Sequence, residues 1–235
     1  MILHIEQLRY AADNLGYLVH GPHSAMAVDG GATEAIMDLV DRRRLCLRLV
    51  AATHNHADHT VGQQALVQRS GAALLDPATI RRPLAVVLDG VPIRVLPTPG
   101  HTFDGVTFRL PGALLTGDTL FNGTVGNCFC GDLDRFYASL STLKRFAPET
   151  RIYAGHDYVA ASMAEARRLE PDNAAAIDGY LRRYRPDHVC SRLGDEMLVN
   201  PFLRSDAPAI VARVRRAGLP VATARQRWKG MMTVC

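Results

Sequence analysis

The sequence predicts an α/β fold in which layered sheets are covered by helices, followed by a small helical region. Over the first two thirds, short β-type runs alternate with helical patterns, the arrangement of sheets packed under helices. From about residue 158 the runs turn Ala-rich with helical spacing. The chain has 235 residues, 48% of them hydrophobic, enough to bury a sizeable core.

Strands are expected at residues 16–20, 25–29, 45–51, 91–97, 106–110 and 113–116, apolar runs broken by Gly, Pro and Asp turns. Another apolar strand leads into His156. Helical patterns fall at 33–43, 57–69 and 135–146, then at 158–169, 173–185 and 207–217, punctuated by Pro171, Pro186, Pro201 and Pro220. The expected division is a first domain over residues 1–170 and a helical region over 171–235.

Composition narrows the function classes. No apolar run approaches the roughly 18–20 residues that span a bilayer. The start, Met1-Ile2-Leu3-His4-Ile5-Glu6, lacks a basic segment followed by an apolar one, so a cytoplasmic location is expected. Five scattered cysteines without a CxxC predict reduced thiols. Cys128-Phe129-Cys130 reads as two small side chains in a loop, with a soft-metal or redox pair as the alternative. A net charge of +4 is too mild for a nucleic-acid binder. Arg204 to Lys229 nevertheless holds seven basic residues and one acid, Asp206. Such a run is ordinarily a solvated helix face; beside a site it would be an anion-attracting rim.

The strongest signal is Thr53-His54-Asn55-His56-Ala57-Asp58-His59, between an apolar strand and a helical pattern. Alternation along an extended stretch points His54 and His56 the same way. Asp58 and His59 lie past the turn and can face the same cavity. Three more candidates each follow a strand and a glycine: His101 in Thr98-Pro99-Gly100-His101, Asp118 in Thr116-Gly117-Asp118 and His156 in Ala154-Gly155-His156. Seven ligands suit two ions rather than one tetrahedral ion. The natural partition sets His54, His56 and His101 on one ion and Asp58, His59 and His156 on the other, with Asp118 between them. The implied cofactor is two divalent metal ions, zinc first, with iron or manganese as alternatives. Their shared water would have its pKa lowered to about 7 and would attack a carbonyl or phosphoryl group, so Asp58 and Asp118 are the expected catalytic aspartates. Asp29 reads either as a carboxylate orienting a ligand or as an ordinary strand-end turn. His4, His20, His23 and His188 are expected on surfaces or loops.

These residues resemble the metallo-β-lactamase superfamily, whose fold is a four-layer αβ/βα sandwich with a dinuclear site at one edge. The likeness is strongest to the glyoxalase II (hydroxyacylglutathione hydrolase) family and covers nearly the whole chain. Gly117-Asp118-Thr119-Leu120-Phe121 is similar to that family's GDTLF, Gly155-His156-Asp157-Tyr158 to its GHEY, and Leu169-Glu170-Pro171-Asp172-Asn173 to its VEPDN. Asn200-Pro201-Phe202-Leu203-Arg204 is similar to its NPFLR, Arg227-Trp228-Lys229 to its RWK, and Asp13-Asn14 with Tyr17 to its N-terminal Asp-Asn-Tyr strand.

The resemblance implies a catalytic domain at 1–170, a substrate-binding region at 171–235, and hydrolysis of S-D-lactoylglutathione to D-lactate and glutathione by hydroxide shared between the ions. The partner would be a small anionic thioester, with no nucleic acid and no membrane, and the protein a monomer or small homo-oligomer. Substrate contacts would fall on Asn127, Phe129, Tyr158, Gln226 and Lys229. Asn127 stands where the family usually has a basic residue, and Gln226 where it has Arg. Losing one charge-assisted contact costs about 1.5–3 kcal/mol. A hydrolase of another thioester, ester or lactone is therefore the runner-up reading. Mononuclear iron persulfide dioxygenase chemistry stands behind it.

Overall fold

Asn14–His20 (β2) is buried along its whole length, as befits a strand covered on both faces. The computed structural model describes residues 2–234 and sets β2 between His4–Tyr10 (β1) and Ser24–Val28 (β3), antiparallel to both. Thr33–Arg42 (α1) then crosses over to Cys46–Ala51 (β4), parallel to β3. Ala57–Thr60 (α2) and Gln63–Ser70 (α3) lead to Ala73–Leu75 (β5), completing one mixed sheet in the order β1-β2-β3-β4-β5. The second sheet is an antiparallel meander of Leu84–Leu88 (β6), Val91–Pro97 (β7), Val106–Leu110 (β8) and Ala113–Gly117 (β9). After Leu133–Leu143 (α4), Arg151–Ala154 (β10) joins β9 in parallel, and Ser191–Arg192 (β11) closes that edge.

The period-2 alternation of strands decides the layers. Tyr17, Met26, Ile93, Phe108, Leu115 and Tyr153 face one another between the sheets. Their neighbours Leu18, Ala27 and Leu47 pack outward with Ile36 of α1 and Leu66 of α3. On the opposite side, Leu114 and Ile152 pack outward with Phe136 and Leu140 of α4 and with Trp228. The result is the four-layer αβ/βα sandwich expected, carrying C-terminal helices Val159–Leu169 (α5), Ala174–Arg183 (α6), Leu193–Val199 (α7), Pro208–Arg216 (α8) and Ala224–Val234 (α9).

Several elements differ from expectation. The helical pattern at 57–69 is two helices, because Gly62 passes so close to Gly30 that a Cβ would lie 2.0 Å from the Gly30 carbonyl oxygen. β1 went unread because it is a half-exposed edge strand with polar residues inside its run. α9 went unread because Gly230 interrupts it; a Cβ there would lie 2.3 Å from Val214 Cγ1, so the glycine lets α8 and α9 meet. His20 is not on a surface or loop. It is buried in β2, its Nε2 accepting from Arg43 Nη1 at 2.9 Å and its Nδ1 2.8 Å from the Gly21 carbonyl. Cys46, Cys128, Cys130 and Cys190 are free thiols; Cys235 lies outside the described residues. Among the described residues no helix is long and apolar enough to cross a membrane.

Glu196 of α7 braces the loop after β9. Fully buried, it accepts the Gly123 N–H at 2.7 Å, the Tyr180 hydroxyl, and Asn200 Nδ2 at 3.3 Å. Burial outweighs these bonds and pushes the Glu196 carboxyl up, favouring its neutral form in the folded state. Such a group stabilises the fold most below its unfolded pKa and loses that contribution as pH rises through the raised folded value. Glu196→Gln, which keeps the shape without the charge, is expected to gain on the wild type as pH rises above about 5, by at most about 1.4 kcal/mol per pH unit. Paired urea denaturation across that range measures the difference; a constant offset between the two proteins contradicts the assignment.

Candidate metal centre

Four strands end at one edge of the sandwich, and each hands its following loop to the same point. The loop after β4 supplies His54 and His56; α2, a single turn, adds Asp58 and His59. His101 follows β7, Asp118 follows β9 and His156 follows β10. Glycines permit the crowding at two of these positions. A Cβ at Gly155 would lie 2.2 Å from Asp118 Oδ1, and Gly117, at φ +51°, would place one 2.3 Å from Thr53 Oγ1.

All seven sequence candidates converge. His56 Nδ1 lies 2.9 Å from His54 Nε2 and 3.1 Å from His101 Nε2. On the other side, His156 Nε2 lies 3.2 Å from His59 Nε2 and 3.3 Å from Asp58 Oδ2. Asp118 stands between the groups: Oδ1 is 3.4 Å from His59 Nε2, while Oδ2 is 3.5 Å from both His101 and His156 Nε2 and 3.9 Å from His54 Nε2.

The outward nitrogens fix the rings. Nδ1 of His54 meets Thr53 Oγ1 at 3.1 Å, that of His59 meets Asp29 at 3.0 Å, that of His101 meets the Asn127 carbonyl at 2.9 Å, and that of His156 meets Asp13 at 2.8 Å. With its N–H pointing out, each ring in its neutral form turns a lone pair inward, the arrangement that orients histidine ligands. Asp29, one of two readings at its position, is thus an orienting carboxylate; it also accepts the Thr53 N–H at 2.7 Å. The roles of Asp13 and Asn14 were not read from spacing. Asn14 Nδ2 donates to Asp58 Oδ2 at 2.9 Å. The available signal was chemical: a buried histidine ligand needs an acceptor for its second nitrogen.

The electrostatics suit cation binding. Burial, with His59, His101 and His56 nearby, pushes the His54 imidazole down to about 2, so it is a neutral donor. Burial likewise lowers His101. Burial alone would raise Asp118, but His156, His59 and His54 hold its carboxyl well below the usual range. Burial works against charge on His59 and His156, yet Asp29 and Asp118 hold His59 up at about 11 and Asp118 and Asp13 raise His156, so a cation binding there would displace their inner protons. Converging lone pairs beside a buried Asp118 Oδ1 with no hydrogen-bond partner are the donor set that divalent ions complete. Three groups of donors, His54/His56/His101, His54/His59/Asp118 and Asp58/His59/His156, each have ligand atoms within 4.8 Å of one another.

A cleft of about 370 Å³ opens over these donors, walled by Phe121, Val125, Asn127, Phe129 and Tyr158. Tyr158 stacks on His156 with centroids 5.1 Å apart, and Phe129 meets the edges of His56 and His101. Burial and the aspartates around the site push the Tyr158 phenol up to about 12, keeping it a neutral donor.

Gln226 and Lys229 are not part of this lining. Gln226 caps α9: its Oε1 accepts the Thr223 N–H at 3.0 Å, and its own N–H donates to Thr223 Oγ1 at 3.2 Å. This is the reciprocal Ser/Thr-x-x-Glu/Gln box, legible in the sequence as Thr223-Ala224-Arg225-Gln226. Lys229 pairs with Asp134 at 2.9 Å, Arg227 with Asp206 at 2.7 Å, and Arg204 with buried Glu170 at 2.9 Å. Four of the seven basic residues, Arg204, Arg225, Arg227 and Lys229, thus engage acids, and none of the seven lines the cleft.

Sandwich and donor cluster together define a metal-binding hydrolase of the metallo-β-lactamase fold. No protein-family model matches the chain. It is 38% identical over 237 residues to the hydroxyacylglutathione hydrolase of Anaeromyxobacter dehalogenans, across 93% of this chain and 92% of that one. ETHE1 from Myxococcus xanthus shares the fold with a TM-score of 0.72 and 24% identity, over 99% of this chain and 90% of its own. TTHA1623, solved in a di-iron-bound form, aligns with a TM-score of 0.61 and 25% identity over 85% of this chain and all of its own. The chain belongs to the metallo-β-lactamase superfamily and, within it, to the hydroxyacylglutathione hydrolase family.

Proposed function

We propose that the protein is a dinuclear metal thioesterase that hydrolyses S-D-lactoylglutathione to D-lactate and glutathione. The observation that carries this reading is the placement of Asp118 between two groups of inward-facing donors, His54/His56/His101 and Asp58/His59/His156. Kinship with proteins named hydroxyacylglutathione hydrolase supports the substrate. Zinc is the proposed metal, with iron or manganese as alternatives, since His and Asp donors accept all three. Two divalent ions held by these donors would supply a water acidified to about pKa 7 and a Lewis acid for the thioester carbonyl.

The chain's own residues do the positioning. Asp13 and Asp29 hold His156 and His59 in register, and Asn14 fixes the Asp58 carboxylate. Phe121, Phe129 and Tyr158 wall the reacting carbonyl with rings, and Asn127 offers a neutral amide where the thiol carrier would lie. The departing thiolate needs no strong acid, because a thiol pKa of about 8.5 makes it a fair leaving group.

One observation favours a second reading, a different thioester, ester or lactone: the described cleft lining contains neither Arg nor Lys. A panel of lactoylglutathione, acyl-CoA, aryl ester and lactone substrates separates the two. The highest kcat/KM is expected for lactoylglutathione. A higher value for an uncharged ester replaces the substrate, and metal content of two ions per chain tests the centre independently.

A further inference from the structure

The turn that carries Phe129 to the cleft holds two thiols that hydrolysis does not use. The Cys128 carbonyl accepts the Gly131 N–H at 3.3 Å, closing a turn that Gly131 completes at φ +71°. That turn sets Cys128 and Cys130 on one side, Sγ atoms 3.8 Å apart and both partly exposed. The same loop grips His101 from two directions: the Asn127 carbonyl accepts its Nδ1–H at 2.9 Å, and the Phe129 N–H donates to its carbonyl at 3.0 Å.

We propose that Cys128 and Cys130 are a thiol–disulfide exchange site for low-molecular-weight disulfides, and that closing the pair loosens the hold on His101. The Cys130 thiolate attacks one sulfur of R–S–S–R; that bond breaks, and R–S⁻ leaves and takes up a proton. The Cys128 thiolate then attacks Cys130 Sγ and displaces the second R–S⁻, which is protonated in turn. The protein loses two hydrogens and two electrons, and the external disulfide becomes two thiols.

Cys130 attacks first because its Sγ accepts the Asp132 N–H at 3.4 Å. Burial and the neighbouring Cys130 push the Cys128 thiol up to about 11, which suits it to the later step. Closure must bring the sulfurs from 3.8 Å to about 2.05 Å, and the turn that shortens contains Phe129 and adjoins Asn127, the two residues bonded to His101. Thiols reverse the step, and a thiol is the product class of the hydrolysis proposed above. The effect on rate rests on that reading; the exchange chemistry does not.

The test treats metal-loaded, full-length protein with glutathione disulfide and follows peptide mass alongside hydrolysis. The peptide spanning 128–130 is expected to lose two hydrogens and keep no adduct, while Cys128→Ser retains a glutathione adduct on Cys130. The rate should fall about tenfold on oxidation, as when a partner of a metal ligand is lost, and recover with added thiol. The Cys128→Ser/Cys130→Ser protein should show the same rate before and after treatment. A stable adduct on either cysteine of the wild type overturns the exchange site, as does an unmodified pair beside a modified Cys46. An unchanged rate in the oxidised wild type overturns the link to His101. If no thioester is hydrolysed at all, the mass result still decides the chemistry.

Discussion

Asp118→Asn is expected to bind fewer than two ions per chain and to hydrolyse thioesters about a thousandfold more slowly, about 4 kcal/mol of barrier. The reason is geometric. Asp118 Oδ1 faces His59 while Oδ2 faces His101 and His156, so its carboxylate is the group that both sets of donors share. An amide of the same size keeps the packing but turns an N–H toward one set and removes the charge that the surrounding histidines stabilise. Metal content by emission spectroscopy, read beside initial rates, checks both halves. Two retained ions with activity within tenfold of wild type would falsify the bridging role.

The second large effect is expected at Asp29, which touches no candidate substrate position. It is fully buried, accepts the Thr53 N–H and hydroxyl at 2.7 and 2.9 Å, and lies 3.0 Å from His59 Nδ1. Asp29→Ala leaves the buried Thr53 N–H and hydroxyl without their acceptor and His59 without its facing carboxylate, a loss of about 3 kcal/mol in unfolding free energy. It also frees the His59 ring, which should weaken metal binding tenfold to a hundredfold, the usual cost of losing a ligand's outer partner. Urea unfolding of metal-free protein and a competitive chelator titration separate the two effects. Loss of stability with unchanged metal affinity would show that Asp29 braces Thr53 alone.

The basic run from Arg204 to Lys229 shows why charge counts along a chain mislead. Seven basic residues between Arg204 and Lys229 suggest a rim for an anion. Four of them meet acids that the fold supplies: Arg204 meets Glu170 before the run, Arg225 and Lys229 meet Asp134 on α4, and Arg227 meets Asp206 within it. An ion pair depends on which helices touch, and sequence distance carries no information about a partner 95 positions away, as Lys229 and Asp134 are. Phe129 and Asn127 went the other way. The family resemblance implied their place beside the centre, and both line the cleft, on the loop that follows Asp118.

The candidate donors were legible because their pattern is a local property. His54, His56, Asp58 and His59 lie within one strand-to-helix turn, and His101, Asp118 and His156 each follow a strand and a glycine. Residue type, strand direction and a glycine's lack of a Cβ are all encoded within a few positions, and together they place every donor at one sheet edge. What holds those donors was not local. Asp13 reaches His156 across 143 positions, and Arg204 and Lys229 found acids that folding alone brought near. Alternation and turn chemistry act between neighbours in the chain and survive in one dimension. Hydrogen bonds and ion pairs act across about 3 Å of space, and only packed layers set which residues meet there.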